Sequence, residues 1–402
     1  MSDFRTSVRM FHQHCNEKRV EAARDLVERL GQAAVSEADH IMLGYCQSRL
    51  GMFEQAERTL SAVWPSLTPR EAQTVNVARE LATVKLHLRK IDEGSAIDKL
   101  LHSRSWYTLP DPEAAAFIPL VKERLLEEGD AVEGKRVFVM FAGGQGDNIE
   151  QFRHFDNLLA EGASVVCANP PASLCELFAN APVALTQLRG TYAAIAECDA
   201  IALGHMLNWR YWRDGAPAAA RADYLRQVRP RERPIEVAPQ PGKRKIGIVW
   251  RSDNTTWEQC RHEPFRSMAL STLEPLLADT GSRFFSLQFG SLTQSEQAIL
   301  ARHDVVDAAP LVHSFADLAE IVAQLDLVVT IDSAGAHLCG ALDVPVWNLL
   351  AQVSDWRWGD AAQRSTPFYR SMRLFRQKTL GDWEPVIAEV CAELARVSPG
   401  SF

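Results

Sequence analysis

The sequence contains no apolar run of the roughly 18 residues that a membrane-spanning helix requires. Its first segment, Met1 to Leu30, is charged and periodic, which is not the pattern of a secretory signal peptide. The 43 lysines and arginines are outnumbered by 51 acidic residues and are scattered along the chain. Because nucleic-acid and membrane-surface binders concentrate basic residues in a patch, we expect a cytoplasmic protein with neither a membrane span nor a nucleic-acid partner.

The sequence also lacks paired cysteines. Its eight cysteines are far apart, and no CxxC motif or Cys/His pair has the spacing of metal ligands. This distribution is typical of small buried thiols in a reducing compartment. We therefore expect no disulfide framework, no structural metal and no bound cofactor.

Strand signals are nearly absent from residues 1–105, where apolar residues recur at helical spacing. Three segments each place a turn and an acidic residue before a small residue, which is Ala23, Ala56 or Gly94. These small residues are 33 and 38 positions apart, close to the period of about 34 of a tetratricopeptide repeat. In the best copy, Gly44 and Ala56 stand where two helices must approach closely. The alternative is a helical bundle without repeats, and either arrangement favours an interaction module over a catalytic one.

Strands and helices alternate after a proline-containing linker and helix at residues 106–134. Buried strands are predicted in residues 135–237, and a second series begins at residue 244 after a stretch rich in proline. The sequence therefore predicts two doubly wound, Rossmann-like α/β domains, at 135–237 and 244–380, that face each other across a cleft. Residues 381–402 complete the chain as a helix and tail.

The stretch IDSAGAHLCGAL follows a predicted buried strand, Leu327 to Ile331, and opens a helix from Ala334 to Leu342. Ligands of open α/β sheets bind at the carboxyl ends of the strands. A helix N-terminus presents free N–H groups and a partial positive charge, so small residues there allow a phosphate to reach the backbone. Taken singly, Asp332 and Ser333 are better explained by helix capping, and His337 by a buried hydrogen bond. Together, at the carboxyl end of a strand, they favour phosphate binding.

The stretch GGQGDN has the same strand, turn and helix order in the first α/β domain. Its residues Gly144, Gln145, Gly146, Asp147 and Asn148 match neither the GxGxxG fingerprint nor the GxxxxGK[ST] phosphate loop. An aspartate facing a phosphate site suits a general base better than a phosphate ligand, because its charge repels a diphosphate. Helix capping is the alternative role for Asp147.

Residues 134–396 resemble the GT-B glycosyltransferases of the heptosyltransferase type (glycosyltransferase family 9), and especially the bacterial proteins that join tetratricopeptide repeats to such a domain. The matching pieces occur in the family's order and lie within about two thirds of the chain. They are GGQGDNIEQFRHF, IGIVWRSDN, FRSMALSTLEPLL, FFSLQFG, IDSAGAHLCGALDVPVWNLL, SDWRWG and STPFYRSMRLFRQKTLGDWEPVI.

This resemblance implies an inverting, metal-independent sugar transfer from a nucleotide-sugar donor, with Asp147 as the base that deprotonates the acceptor. Asp332 and His337 would shape the sugar and phosphate pocket, and Arg261 or Arg266 would stabilise the leaving diphosphate. The residues implied to hold the diphosphate are Ser333, Ala334, Gly335 and Ala336.

Two further pieces of the resemblance concern the donor. Gln288 and Phe289, at the end of a strand, would frame the nucleotide base. Asp355 and Trp356, in the SDWRW stretch, would face the donor sugar. The alternative for SDWRW is aromatic packing with Arg357 at the surface.

The sequence departs from the family pattern at three places. Glu150 and Gln151 stand after Asn148, where the family usually continues GLGDTIQFARY with one residue fewer. Phe289 stands where a lysine is common, and the RSDNTTWEQCRH loop lacks the usual His-x-Asn-Asp run. These differences predict altered donor contacts and a shifted first helical turn beside Asp147.

Three functions are therefore expected in order of preference. The first is transfer of a sugar to a protein acceptor, such as an adhesin or flagellin, that docks on the helical repeats. The second is the same chemistry on a glycan or lipid-linked saccharide. The third is a non-catalytic scaffold that binds a nucleotide-sugar. Because exposed repeat faces often self-associate, a homo-oligomer is a further expectation.

Overall fold

The computed structural model describes residues 2–66, 72–105, 117–179, 184–185, 191–218, 222–225, 237, 242–252 and 263–397. Residues 106–116 of the predicted linker, and most of the proline-rich stretch between the two predicted α/β domains, lie outside these ranges. Within the ranges, no helix combines the length and the apolar character needed to cross a membrane.

Six helices form the first part of the described chain and pack as successive pairs. Lys18, Gly51 and Arg89 have positive φ angles in the short turns that join the two helices of each pair. This arrangement of three helical hairpins fits a repeat domain. The helices are α1 (Ser2–Asn16), α2 (Val20–Ala33), α3 (Glu37–Arg49), α4 (Phe53–Val63), α5 (Ala72–His87) and α6 (Ile91–Leu101).

The first α/β unit contains a four-stranded parallel sheet in the order β3-β2-β1-β4. Its strands are β1 (Arg136–Met140), β2 (Val165–Ala168), β3 (Ala184–Leu185) and β4 (Ala200–Leu203), followed by the antiparallel pair β5 (Trp212–Arg213) and β6 (Ala216–Pro217). Its helices are α7 (Ile118–Arg124), α8 (Gln145–Gln151), α9 (Phe155–Ala160), α10 (Ala172–Phe178), α11 (Thr191–Ala196) and α12 (Leu207–Arg210).

Residues 145–160 form two helices rather than one continuous helix. A single 3-10 turn at Phe152–His154 separates α8 from α9. Arg153 and His154 lie in this turn with buried side chains that bond to Phe368 and Asn208, respectively. Satisfying these buried polar groups accounts for the interruption.

The second α/β unit contains a seven-stranded sheet in the order β12-β13-β11-β10-β7-β8-β9, and β12 is its antiparallel strand. Without β12, the order corresponds to the 3-2-1-4-5-6 arrangement of Rossmann folds. The strands are β7 (Arg244–Val249), β8 (Ser282–Ser286), β9 (Val306–Asp307), β10 (Leu327–Ile331), β11 (Val346–Leu350), β12 (Ser365–Thr366) and β13 (Tyr369–Arg376). The helices are α13 (Glu263–Arg266), α14 (Glu274–Leu277), α15 (Gln294–Arg302), α16 (Phe315–Val322), α17 (Ala334–Ala341) and α18 (Glu384–Leu394).

The three parts pack directly on one another. One hydrophobic cluster joins Val139 and Ile149 of the first α/β unit to Leu338 and Val346 of the second. Another cluster joins the first three helices to the second α/β unit through residues that include Phe265. The site described below lies where these parts meet.

The contact between α3 and α4 depends on the absence of a side chain at Gly44. A Cβ atom at Gly44 would lie 2.5 Å from Cδ2 of Leu60, which is fully buried. In contrast, a Cβ atom at Gly31 in α2 would meet no atom within 4 Å. The two glycines therefore provide a matched test of close helix packing.

We expect Gly44→Ala to reduce the free energy of unfolding by about 1–3 kcal/mol, because the added methyl group overpacks the contact with Leu60. Gly31→Ala should instead increase it by up to about 1 kcal/mol, because alanine favours the helix. Urea denaturation followed by circular dichroism measures both changes. Equal effects of the two substitutions would contradict the close approach.

Candidate functional site

The carboxyl end of β10 and the start of α17 form one side of the site. Ser333 is the N-cap residue of α17, but its side chain makes no capping hydrogen bond; its Oγ lies 3.3 Å from Oγ1 of Thr330. Among the residues that the structure describes, no hydrogen-bond acceptor is found for the N–H groups of Ala334 and Gly335. Residues 332–335 are half-buried, so this helix end offers free donors at a strand end, as an anion site requires.

The glycine turn after β1 forms the other side. Gly143 has a φ angle of 90°, and a Cβ atom there would lie 2.5 Å from Oδ2 of Asp147. Asp147 accepts a hydrogen bond of 2.9 Å from the N–H of Gly144, while the Asn148 amide donates to the Gly144 carbonyl at 2.7 Å. Asp147 therefore does cap α8, and about a third of its side chain stays exposed.

The two sides meet at Gly146. A Cβ atom at this position would lie 2.7 Å from Cδ2 of His337 and 3.3 Å from Cα of Ala334. Any other residue would push α8 away from α17 or displace the His337 ring. The structure therefore brings together the glycine turn and the small-residue helix start that the sequence singled out separately.

Arg357 connects the two sides electrostatically. Its guanidinium donates to Asp147 at 2.8 Å, to Glu150 at 3.1 Å and to Asp355 at 3.0 Å. Burial would lower the pKa of Arg357, but the three carboxylates raise it well above its usual value. In turn, burial would raise the pKa of Asp355, but Arg357 holds it well below its usual range.

The alternative interpretation that placed Arg357 at the surface is wrong. Its side chain is only 15% exposed and lies between the two α/β units. The carboxylates of Asp147 and Glu150 explain this position, because a buried guanidinium requires paired charges and full hydrogen bonding.

Glu150 and Arg153 extend the network into the interior. Both side chains are 1% exposed, and Arg153 Nε lies 3.6 Å from Glu150 Oε1. Arg153 also donates to the Phe368 carbonyl at 3.1 Å and lies 4.8 Å from the centre of the Tyr369 ring. In the sequence Glu150 stands out only as a departure from the family pattern, and the opposite charge of Arg153 three residues later is the local signal for its role.

His337 and Asp332 lie on either side of the first residues of α17. His337 Nδ1 lies 2.9 Å from the Tyr369 hydroxyl. Burial, together with the charge of Arg357, lowers the pKa of His337 to about 3, so the ring is neutral near pH 7 and contributes hydrogen bonds rather than positive charge. Burial raises the pKa of Asp332, whereas the charge of Arg266 acts to lower it.

Of the two arginines predicted to stabilise the leaving diphosphate, the structure describes Arg266. Arg266 ends α13 and donates to the Ser252 hydroxyl at 3.2 Å, and its charge reaches Asp332. Arg261 lies outside the described residues. Of the two, Arg266 is therefore the one that can be placed beside the start of α17.

The two residues expected to frame the nucleotide base have different environments. Gln288 is buried, and its amide oxygen accepts from the N–H groups of Trp250 and Arg251. Its amide nitrogen donates to the carbonyls of Arg251 and Phe289. The amide of Gln288 therefore holds the ends of β7 and β8 together, whereas Phe289 is 60% exposed and accessible to a ligand.

Trp356 lies in an aromatic cluster rather than alone in the opening. Its ring stacks on Trp209 with centroids 5.7 Å apart and meets the edge of Phe368 at 6.2 Å. Trp212 is the fourth member, 6.0 Å from Trp356. Packing between the two α/β units is thus a role of Trp356, as the alternative interpretation of SDWRW proposed.

Comparison with known proteins gives distant likenesses. No protein-family model matches the chain. Protein FlbA of Caulobacter vibrioides is 28% identical over 157 residues, which are 37% of this chain and 25% of FlbA. The matched segment thus spans about a quarter of the length of that relative.

Among solved structures, E. coli ADP-heptose lps heptosyltransferase II is 15% identical with a TM-score of 0.42, over 65% of this chain and 99% of that one. The glycosyltransferase of family 9 from Veillonella parvula is 13% identical with a TM-score of 0.39, over 67% and 92% of the two chains. At this distance the reaction of the present chain has to be inferred from its own site.

We expect Arg357→Ala to reduce the free energy of unfolding by about 3–5 kcal/mol, because three carboxylates lose their shared partner and Glu150 stays buried. Arg364→Ala is the control, since Arg364 is 55% exposed and its ion pair within the described ranges is with Glu389 at 3.1 Å. That change should cost less than about 1 kcal/mol. Chemical denaturation measures both values, and similar losses would show that the Arg357 network does not stabilise the fold.

Proposed function

We propose that this protein is a glycosyltransferase of the GT-B type that moves a sugar from a nucleotide-sugar donor to an acceptor. The observation that carries the proposal is the contact at Gly146, which sets the free N–H groups at the start of α17 beside the helix that bears Asp147. The donor phosphate would therefore bind next to the carboxylate that acts as the base.

The donor diphosphate would bind the first turn of α17. The free N–H groups of Ala334 and Gly335 point toward an anion, and the small side chains leave their backbone accessible. Arg266 adds positive charge near Asp332. Phe289, whose ring is largely exposed, would pack on the nucleotide base.

The proposed chemistry is a single displacement. Asp147 accepts the proton of an acceptor hydroxyl while the hydroxyl oxygen attacks the anomeric carbon. The bond from that carbon to the phosphate oxygen breaks, and the nucleoside diphosphate leaves with the bonding electrons. Attack opposite the leaving group inverts the anomeric configuration, and the helix N-terminus and Arg266 stabilise the leaving group without a metal ion.

The acceptor in this proposal is a protein that docks on the helical unit. That unit contacts both α/β units: Trp209 Nε1 donates to Asp98 at 2.6 Å, and Lys18 Nζ donates to the Ser267 carbonyl at 3.1 Å. A chain bound along helical hairpins would therefore lie close to the site. The same proposal includes a homo-oligomer in which several copies of the chain associate through these hairpins.

A non-catalytic scaffold is the second candidate, and one observation favours it. The carboxylate of Asp147 is engaged by both Arg357 and the Gly144 N–H, so part of its hydrogen-bonding capacity is already used. Donor binding alone does not require Asp147 to accept a proton. The next two experiments separate the candidates.

We expect one class of nucleotide-sugar to raise the melting temperature of the purified protein without added metal, because a ligand that binds only the folded state stabilises it. UDP-, GDP-, ADP-, CMP- and dTDP-sugars form the screen. Ser333→Trp should abolish the shift by filling the start of α17. Ser295→Trp, an exposed position in the first turn of α15, should retain it. Failure of every donor to shift the wild type would contradict the proposed donor site.

We expect Asp147→Asn to lower turnover by about 100-fold or more, because an amide cannot act as the base, while the donor still shifts the melting temperature. Glu150→Gln is the matched control: it removes another carboxylate that pairs with Arg357, but Glu150 is buried away from any acceptor. Transfer is measured by release of nucleoside diphosphate with the identified donor. Wild-type turnover in Asp147→Asn would exclude this base, and donor binding without any transfer would favour the scaffold.

A further inference from the structure

A polar cluster outside the proposed sugar site lies between the helical unit and the first α/β unit. Asp98 and His102 belong to the C-terminal end of α6, and His205 follows β4. One side-chain ligand atom from each residue lies within 4.8 Å of the other two. Asp98 and His102 are one helical turn apart, and the fold places His205, 107 positions after Asp98, beside them.

The histidine from the α/β unit has unmet polar groups. Neither Nδ1 nor Nε2 of His205 has a hydrogen-bond partner among the described residues, and both atoms are inaccessible to solvent. Burial lowers the pKa of His205 to about 4, so the ring is neutral and keeps a lone pair. An imidazole with two unpaired buried nitrogens is costly unless a further group binds it.

The other two residues have the chemistry of metal ligands. Nδ1 of His102 lies 2.8 Å from the carbonyl oxygen of Asp98 and 3.2 Å from its Oδ1. A ring nitrogen held by a carbonyl in this way leaves the second nitrogen oriented for a metal ion. Burial would raise the pKa of Asp98, but the hydrogen bonds from His102 and Trp209 lower it, so the carboxylate is ionised.

Space for further ligands is present beside the cluster. Of the three residues, His102 lines a cavity of about 420 Å³ between α6 and the carboxyl edge of the first sheet, together with Trp209. Water molecules that enter from the His102 side could complete the coordination of an ion that has three protein ligands. The three ligand atoms, which lie within 4.8 Å of one another, would have to close to a separation of about 3.4 Å around an ion with bonds of about 2.1 Å.

We propose that Asp98, His102 and His205 bind one divalent transition-metal ion of the zinc type, which fastens the helical unit to the first α/β unit. Two imidazoles and one carboxylate are a ligand set for such ions rather than for calcium or magnesium, which prefer oxygen ligands alone. The site revises the expectation of a metal-free protein, which rested on cysteine spacing. None of its three residues belongs to the proposed sugar site, although the charge of Asp147 reaches His205, and metal binding can be measured without the transfer reaction.

The test uses the full-length protein after EDTA treatment and dialysis. Titration with Co²⁺ should show visible absorption that saturates at one ion per chain, and Zn²⁺ should displace it and raise the melting temperature. His102→Gln and Asp98→Asn should each weaken binding by roughly 100-fold or more, because each removes one of three ligands. Asp98→Asn keeps an oxygen that can accept the hydrogen bond from Trp209.

His313→Gln is the control, because the side chain of His313 is 83% exposed and belongs to no cluster of this kind within the described ranges; it should bind Co²⁺ as the wild type does. Circular dichroism verifies that each variant is folded. Failure of the wild type to bind one Co²⁺, or unchanged binding in both folded ligand variants, would overturn the proposal. If one variant does not fold, the wild-type titration and the other variant decide the outcome.

Discussion

The buried charge of Arg357 is the interaction on which the arrangement of the α/β units depends. One guanidinium serves Asp147 and Glu150 from the first unit and Asp355 from the second. Removing a cation from water is expensive, and only several well-placed anions offset that cost. The network therefore specifies one relative position of the two units, in which the start of α17 faces Asp147. Gly146 makes the same position sterically attainable.

Much of the fold could be predicted because its signals are local. The apolar run at β10 and the small residues that follow it predict both the strand and the start of α17, and the structure has them at Leu327–Ile331 and Ala334–Ala341. Helical spacing likewise predicted the hairpins of the first hundred residues. In contrast, β13 was not foreseen, because an arginine at every third position of YRSMRLFR obscures the period of two of a strand that pairs with β11.

The site was predictable only in its parts. The sequence singled out Asp147 and the Ser333–His337 stretch, each from a strand, turn and helix pattern. Arg357 and His205 escaped notice because they meet residues more than 100 positions away in the sequence. The pairs Glu150–Arg153 and Asp98–His102 have helical spacing, but the same spacing is common on solvent-exposed helix faces and does not mark a buried cluster. Likewise, the Gln288 amide forms its hydrogen bonds with Trp250, Arg251 and Phe289 because β7 and β8 are paired. A single sequence does not reveal that pairing.

The apolar contact between the first helices and the second α/β unit bears on how the chain behaves as a whole. Phe11 and Cys46 pack in one cluster with Phe265, Val353 and Leu380. Cutting away the helical unit would expose these last three side chains to water, and a newly exposed apolar patch promotes aggregation. The helical unit is therefore part of the same folded body as the second α/β unit and not a separable module. Exchange of this region in evolution would require matching substitutions on the apolar surface that it covers.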